Sequence, residues 1–265
     1  MPYRLAAIVI HGIGEQQPDF ADGFIREVSD RLGGRAEQVC WRSLYWADLL
    51  EPRETELLDR LSAGGRHLDW ASVRRFVVHF LADAVAYQRV PGKGVVDGTY
   101  TRIHARVAER LADLGTAVGG GPMPLLVVAH SLGGHIMSNY IWDQQHPDPS
   151  RVRGATPFVR AETLKAMITF GCNIPLFALA LPDVVPIDIP HPAGARKPWL
   201  NLYDRDDVLG YPLAPLSSGY DAIVEDREVS VGSFLTGWNP LAHNAYWTDN
   251  DVTKPIAERI SELLV

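Results

Sequence analysis

Val128-Ala129-His130-Ser131-Leu132-Gly133-Gly134 decides how this chain is read. An apolar run at 124–129 precedes it, and a helical pattern follows to about residue 145. A chain that passes from a buried strand straight into a helix must turn sharply at the residue between them. The positions two before and two after that residue must then be small, because helix and strand nearly touch. Ala129 and Gly133 meet the condition. Ser131 is thereby lifted above the carboxyl edge of a sheet, where open α/β sheets carry their sites. The helix N-terminus beneath it favours developing negative charge.

The rest of the chain fits such a sheet. Leu5-Ala6-Ala7-Ile8-Val9-Ile10 is a continuous apolar run closed by His11-Gly12-Ile13-Gly14, the pattern of a strand buried on both faces. Further strands are expected at 39–46, 166–170 and 199–203. Helices are expected at 20–32, 100–114 and 255–264, and 182–198 is Pro-rich and irregular. Apolar residues recur at helical spacing over 66–88, including Trp70, Val73, Val77 and Phe80. This alternation predicts a single domain over 1–265, with a mostly parallel central sheet and helices on both faces. Residues 41–100 are expected to form a helical insertion that could overhang the site as a lid. Trp41, Tyr45, Trp46, Leu49 and Leu50 in it are either core or a lipid-contacting patch, and core is the commoner role.

Composition narrows the partners. The 265 residues carry a net charge of -7 with scattered Lys and Arg, so no basic stripe for nucleic acid is present. Cys40 and Cys172 form no disulfide framework and read as buried thiols of a reducing compartment. The N-terminus lacks the pattern of a secretory signal, and no apolar run reaches the length of a membrane span. A cytoplasmic protein is expected, with peripheral contact to a lipid surface open. No metal or cofactor is expected.

A strand–Ser–helix turn of this kind is the nucleophile elbow of the α/β-hydrolase fold. There the acid and the base follow the serine in chain order. Of the later histidines, His135 lies inside the helix and His146 caps its end. His191 sits in the Pro-rich loop, and His243 lies beyond the last candidate acid. Order favours His243 as base. The acid should end a late strand, and Asn201-Leu202-Tyr203-Asp204-Arg205-Asp206-Asp207 supplies it. Asp204 comes too early, and spacing does not separate Asp206 from Asp207. Two backbone N–H groups should meet the oxyanion: that of Leu132, and that of Ile13 in the early Gly loop. His11 and His130 flank the site without metal-ligand spacing and read as packing residues.

These blocks resemble, in order, those of the DDHD-domain intracellular phospholipases. His11-Gly12-Ile13-Gly14 and Ala129-His130-Ser131-Leu132-Gly133 carry the likeness. Asn201 to Leu216 lies without a gap on the family's Asn-x-x-x-x-x-Asp-Pro-Val-Ala-Tyr-Arg block and the x-Pro-Leu after it. His243-Asn244-Ala245-Tyr246-Trp247 is similar to its His-x-x-Tyr-Trp block. Gly171-Cys172-Asn173-Ile174-Pro175 and Asp83-Ala84-Val85-Ala86-Tyr87 are similar to two further segments. Ala129, Val208 and Cys172-Asn173 depart from the pattern. The resemblance implies Asp207 as the acid and a lipid ester as substrate. It also marks Asp83 and Asp251 as acidic positions, whose ordinary role is pairing or capping. The expectation is therefore an esterase- or lipase-like acyl hydrolase acting through Ser131, His243 and Asp207 by way of an acyl-enzyme. Thioesterase, peptidase or acyltransferase chemistry on the same residues is the alternative, as is a silent binding protein that keeps the fold.

Overall fold

A computed structural model describes residues 3–13, 16–50, 56–57, 60, 84–87, 98–179, 181–232 and 242–265. Six strands form one parallel sheet: β1 (Leu5–Ile10), β2 (Val39–Leu44), β3 (Leu125–His130), β4 (Leu164–Phe170), β5 (Trp199–Asp204) and β6 (Val224–Val229). Their order across the sheet is β2-β1-β3-β4-β5-β6. The expected parallel sheet covered on both faces is what the chain adopts.

Side chains alternate across each strand, so even a continuous apolar run divides into two faces. Ala6, Ile8, Ile10, Leu125 and Val127 point into one core layer. There they meet Ile103, Val107 and Leu111 of α2 (Thr99–Ala117) and Ile136 and Tyr140 of α3 (Leu132–Gln145). Leu5, Ala7, Val9, Leu126 and Val128 point into the other. That layer is closed by Phe24 and Val28 of α1 (Asp22–Leu32) and by Val252, Ile256 and Ile260 of α6 (Asn250–Leu263). Two short helices are α4 (Ile174–Ala178) and α5 (Ser218–Ile223). Among the described residues no helix is long and apolar enough to cross a membrane.

The order places a switch point between β1 and β3. The chain leaves β1 toward α1 in one layer and leaves β3 toward α3 in the other. The two loops diverge at the carboxyl ends of these strands, the usual location of a site in open α/β sheets.

The structure departs from the sequence reading at four places. β6 was not expected, because Glu225-Asp226-Arg227-Glu228 puts four consecutive charges inside it. It is an edge strand, where charge deters pairing with another chain. Arg196 bonds Glu225, and Arg205 bonds Glu228. α6 begins at Asn250, five residues before the expected Pro255, because the Asp249 side chain caps it by accepting the Asp251 N–H at 2.8 Å. The segment after the candidate base is a 3₁₀ helix, Ala242–Thr248, rather than irregular loop. Finally, Trp41 to Leu44 belong to β2, so the insertion expected at 41–100 cannot start at 41. Trp46 and Leu50 are buried, and Trp41 and Leu49 pack against the core, so these aromatics are interior. Most of 51–97, including Asp83 and nearly all of the expected 66–88 helix, lies outside the described residues.

Packing is close where α3 crosses the end of β1. A Cβ added to Gly133 would lie 2.6 Å from the His11 carbonyl oxygen and 3.1 Å from that of Ile10. Backbone cannot yield as a side-chain tip does. Gly133→Ala should therefore cost about 1–3 kcal/mol, the range for overpacking, and lower Tm by several degrees. Gly34→Ala, where a Cβ meets nothing within 4 Å, should leave Tm nearly unchanged. Differential scanning calorimetry on the two variants makes the comparison.

Candidate active site

Ser131 stands between β3 and α3 with φ 52° and ψ −125°. A non-glycine residue at this positive φ is strained and persists only where its surroundings hold it. The Ser131 N–H donates to the Phe170 carbonyl of β4 at 3.0 Å, which ties the turn to the neighbouring strand. Gly12 packs directly against it. A Cβ there would fall 2.5 Å from Ser131 Cβ and 3.1 Å from Oγ. The Gly12–Ile13 backbone thus runs beside the hydroxyl, where the sequence placed one oxyanion donor. Leu132, the other, opens α3 directly after the serine, and a first-turn N–H has no acceptor inside its own helix.

His243 reaches the serine from the far end of the chain. Its Nε2 lies 2.6 Å from Ser131 Oγ, and its Nδ1 lies 2.8 Å from Asp207 Oδ2. A carboxylate only accepts, so Nδ1 carries the proton and Nε2 is left to accept from the serine hydroxyl. All three residues are buried. Asp207 Oδ1 also accepts the Leu209 N–H at 2.9 Å, and Oδ2 accepts the Tyr246 hydroxyl at 3.0 Å. Burial by itself would raise the Asp207 carboxyl. The bond and charge of His243, with the donors Leu209 and Tyr246, hold it below the ordinary carboxylate value instead.

The turn after β5 separates the three aspartates. Asp204 accepts the backbone N–H groups of Asp206 at 2.8 Å and Val231 at 2.6 Å, so it clamps the loop. Asp206 is exposed, and Asp207 turns inward onto His243. The acid position is held by Asn201 and Asp226 beneath it. The Asn201 amide donates to the Tyr211 carbonyl and to Asp226, and Asp226 in turn accepts from the Leu213 and Ala214 N–H groups. Asp251 is exposed at the start of α6, far from acid chemistry and suited to the helix dipole.

His11, His130, His135, His146 and His191 have structural partners. Trp46 donates its backbone N–H to His11 Nε2 at 3.0 Å and its indole N–H to the His11 carbonyl at 3.1 Å, with the rings stacked. Burial pushes His11 down to about 4, so it is neutral near pH 7. His130 donates Nε2–H to the His243 carbonyl at 2.8 Å and stacks on Phe170. Burial and the adjacent His243 hold it well below the usual imidazole value. His135 stacks on Phe177, His146 bonds the Trp142 carbonyl at the end of α3, and His191 bonds the Ile189 carbonyl. Sequence reasoning missed the anchoring by Trp46, His130 and Tyr246, since none of these bonds joins neighbours in the chain.

No known protein family's sequence profile matches this chain, and no curated protein matches it in sequence. Its fold is similar to solved structures. An iodinated complex of acetyl xylan esterase is 12% identical, with 99% of each chain covered and a TM-score of 0.46. Acetylxylan esterase is 11% identical, again over 99% of each chain, with a TM-score of 0.45. A soluble variant of monoglyceride lipase from Saccharomyces cerevisiae, bound to a substrate analog, is 13% identical. The match covers 99% of this chain and 86% of that one, with a TM-score of 0.41.

The chemistry of the site therefore rests on its own geometry. A carboxyl held low when folded stabilises the protein above its unfolded pKa of about 3.9, and that contribution is lost as pH falls through the lower folded value. The stability difference between the wild type and Asp207→Asn should accordingly shrink as pH drops below roughly 4. Urea unfolding of both proteins between about pH 5 and pH 3 measures it. A difference that stays constant or grows there would mean that the carboxyl is not held low.

Proposed function

We propose that this chain is a serine hydrolase that cleaves carboxylic esters through an acyl-enzyme. The observation that carries the reading is the continuous hydrogen-bond chain Ser131 Oγ–His243–Asp207, at 2.6 and 2.8 Å. A serine hydroxyl is a weak nucleophile until a positioned base can take its proton. His243 Nε2 takes that proton as Oγ attacks the ester carbonyl carbon. The carbonyl π electrons move to oxygen, and the N–H groups of Ile13 and Leu132 receive the charge. One such donor is worth about 3 kcal/mol in the transition state. His243 returns the proton to the alkoxy oxygen as the ester bond breaks and the alcohol leaves. Water then adds to the acyl-serine with His243 again as base, the acid is released, and Oγ recovers its proton. Asp207 keeps the imidazole in the tautomer and direction this requires, and it stabilises the imidazolium between the steps.

The resemblance of the motif blocks to the DDHD-domain phospholipases favours a lipid ester and peripheral contact with a lipid surface. Two buried free thiols suit a reducing, cytoplasmic compartment. Thioesterase, peptidase or acyltransferase chemistry would use the same residues. A series of p-nitrophenyl esters of graded chain length, set against thioester and amide analogues, reads out which leaving group and acyl length the site prefers.

Two outcomes test the mechanism. Ser131→Ala should abolish both fluorophosphonate labelling and ester hydrolysis while the protein stays folded. Full labelling of the folded alanine variant would overturn the assignment of Ser131 and point to another nucleophile, whereas a wild type that takes no label would favour a silent binding protein. Asp207→Asn should cut kcat on one soluble ester severely, on the order of 10⁴-fold by analogy with serine proteases, with little change in KM. Asp206→Asn should lose far less, because Asp206 faces solvent. A larger loss at Asp206 would transfer the role of the acid to that residue.

A further inference from the structure

His243 and Tyr246 lie three residues apart in the 3₁₀ helix Ala242–Thr248. Such a helix has three residues per turn, so side chains three apart stand above one another. Both reach the same atom. Asp207 Oδ2 accepts His243 Nδ1–H at 2.8 Å and the Tyr246 hydroxyl at 3.0 Å. The Tyr246 oxygen also accepts the Asp204 backbone N–H at 3.0 Å. A phenol has a single proton to give. With its oxygen taken by a backbone donor from the end of β5, that proton is directed at the carboxylate. Room for this is made by two glycines. A Cβ on Gly210 would lie 2.6 Å from Asp207 Oδ2, and one on Gly171, at φ +57°, would lie 3.2 Å from the Tyr246 ring.

We propose that Tyr246 is a positioning residue that sets the basicity of His243 by holding a share of the Asp207 charge through its hydroxyl. The inference rests on the triad reading given above. A carboxylate oxygen shared by two donors gives less to each. Removing the hydroxyl leaves more negative charge to stabilise the His243 imidazolium and also frees the carboxylate to turn. Packing does not require the oxygen. The ring belongs to the apolar layer around Phe170 and Val252, which a phenylalanine would fill as well.

The other groups facing this pair are the same in each protein, except that the Asp204 N–H loses its acceptor in the phenylalanine variant and keeps it with difluorotyrosine. Ser131 and His130 come from the β3–α3 turn, and the His130 ring lies 4.8 Å from that of His243. Asp204 comes from β5 and is occupied by the Asp206 and Val231 N–H groups. His11, from the loop after β1, acts on His130 by charge. Burial keeps both of these histidines neutral where an imidazole ordinarily titrates. Burial, together with the charge of Asp207, pushes the Tyr246 phenol far up, so it remains a donor throughout.

The test uses Tyr246→Phe, and separately 3,5-difluorotyrosine placed at position 246 as a more acidic, stronger donor that keeps ring and hydroxyl. The His243 imidazole is titrated by NMR in a Ser131→Ala background, which needs no turnover. The pH profile of kcat/KM for p-nitrophenyl acetate is measured with Ser131 intact. Phenylalanine should move the His243 titration upward by roughly half a unit to one unit and lower kcat about tenfold, as loss of a hydrogen bond to a charged group does. Difluorotyrosine should move the titration downward. An unmoved His243 titration with difluorotyrosine, or with a folded phenylalanine variant, overturns the proposal. If Ser131→Ala retained activity, the reading of Ser131, His243 and Asp207 as the triad would fail, and the NMR titration would still report whether Tyr246 acts on His243 through Asp207.

Discussion

At Ser131 the chain reverses direction with no spacer between strand and helix, and this single backbone turn sets what its neighbours can be. The residue sits at φ 52°, a strain of about 1–3 kcal/mol that the fold must offset. It does so by close packing. Gly12 lies on one side of the turn and Gly133 against the end of β1, each at a distance that would not admit a methyl group. In return the hydroxyl meets His243 at the switch point, beside the first turn of α3. The strained residue and the reactive candidate are one and the same, the usual association between stored strain and chemistry.

Three distant segments converge on that turn, and each is tied down separately. The loop after β1 is pinned through His11 to Trp46 beyond β2. The loop after β5 is folded around the carboxylates of Asp204 and Asp226. The 3₁₀ helix that carries His243 is joined at its first turn to His130 and at its next to Asp204 and Asp207 through Tyr246. His130, the residue before the serine, thus binds the backbone of His243, and Tyr246, three residues after His243, binds Asp207. Buried hydrogen bonds suit this work because, shielded from water, they hold direction.

The comparison of sequence with structure follows the same physics. β1 and β3 were legible because a strand buried on both faces is a plain apolar run. α1 was legible because its helical stripe is one-sided. β6 was not, because an edge strand can be almost wholly charged when loop arginines pair its glutamates and Glu258 of α6 pairs its Arg227. The start of α6 was hidden by Pro255, which reads as a helix opening yet sits inside a helix whose apolar face is deeply buried.

The sequence by itself determined the turn, the residue at its apex and the order in which the candidate acid and base follow, because small residues around a strand–helix junction and chain order are local facts. It also limited the acid to a short aspartate-rich segment. Only the tertiary structure decided that Asp207 faces His243 while Asp204 folds the loop and Asp206 meets solvent. Adjacent side chains in a tight turn point in different directions, and which one points inward depends on strands that close over it from elsewhere in the chain. The partners of His11, His130 and Tyr246 were decided in the same way, since each of their bonds spans dozens of residues and no local pattern encodes it.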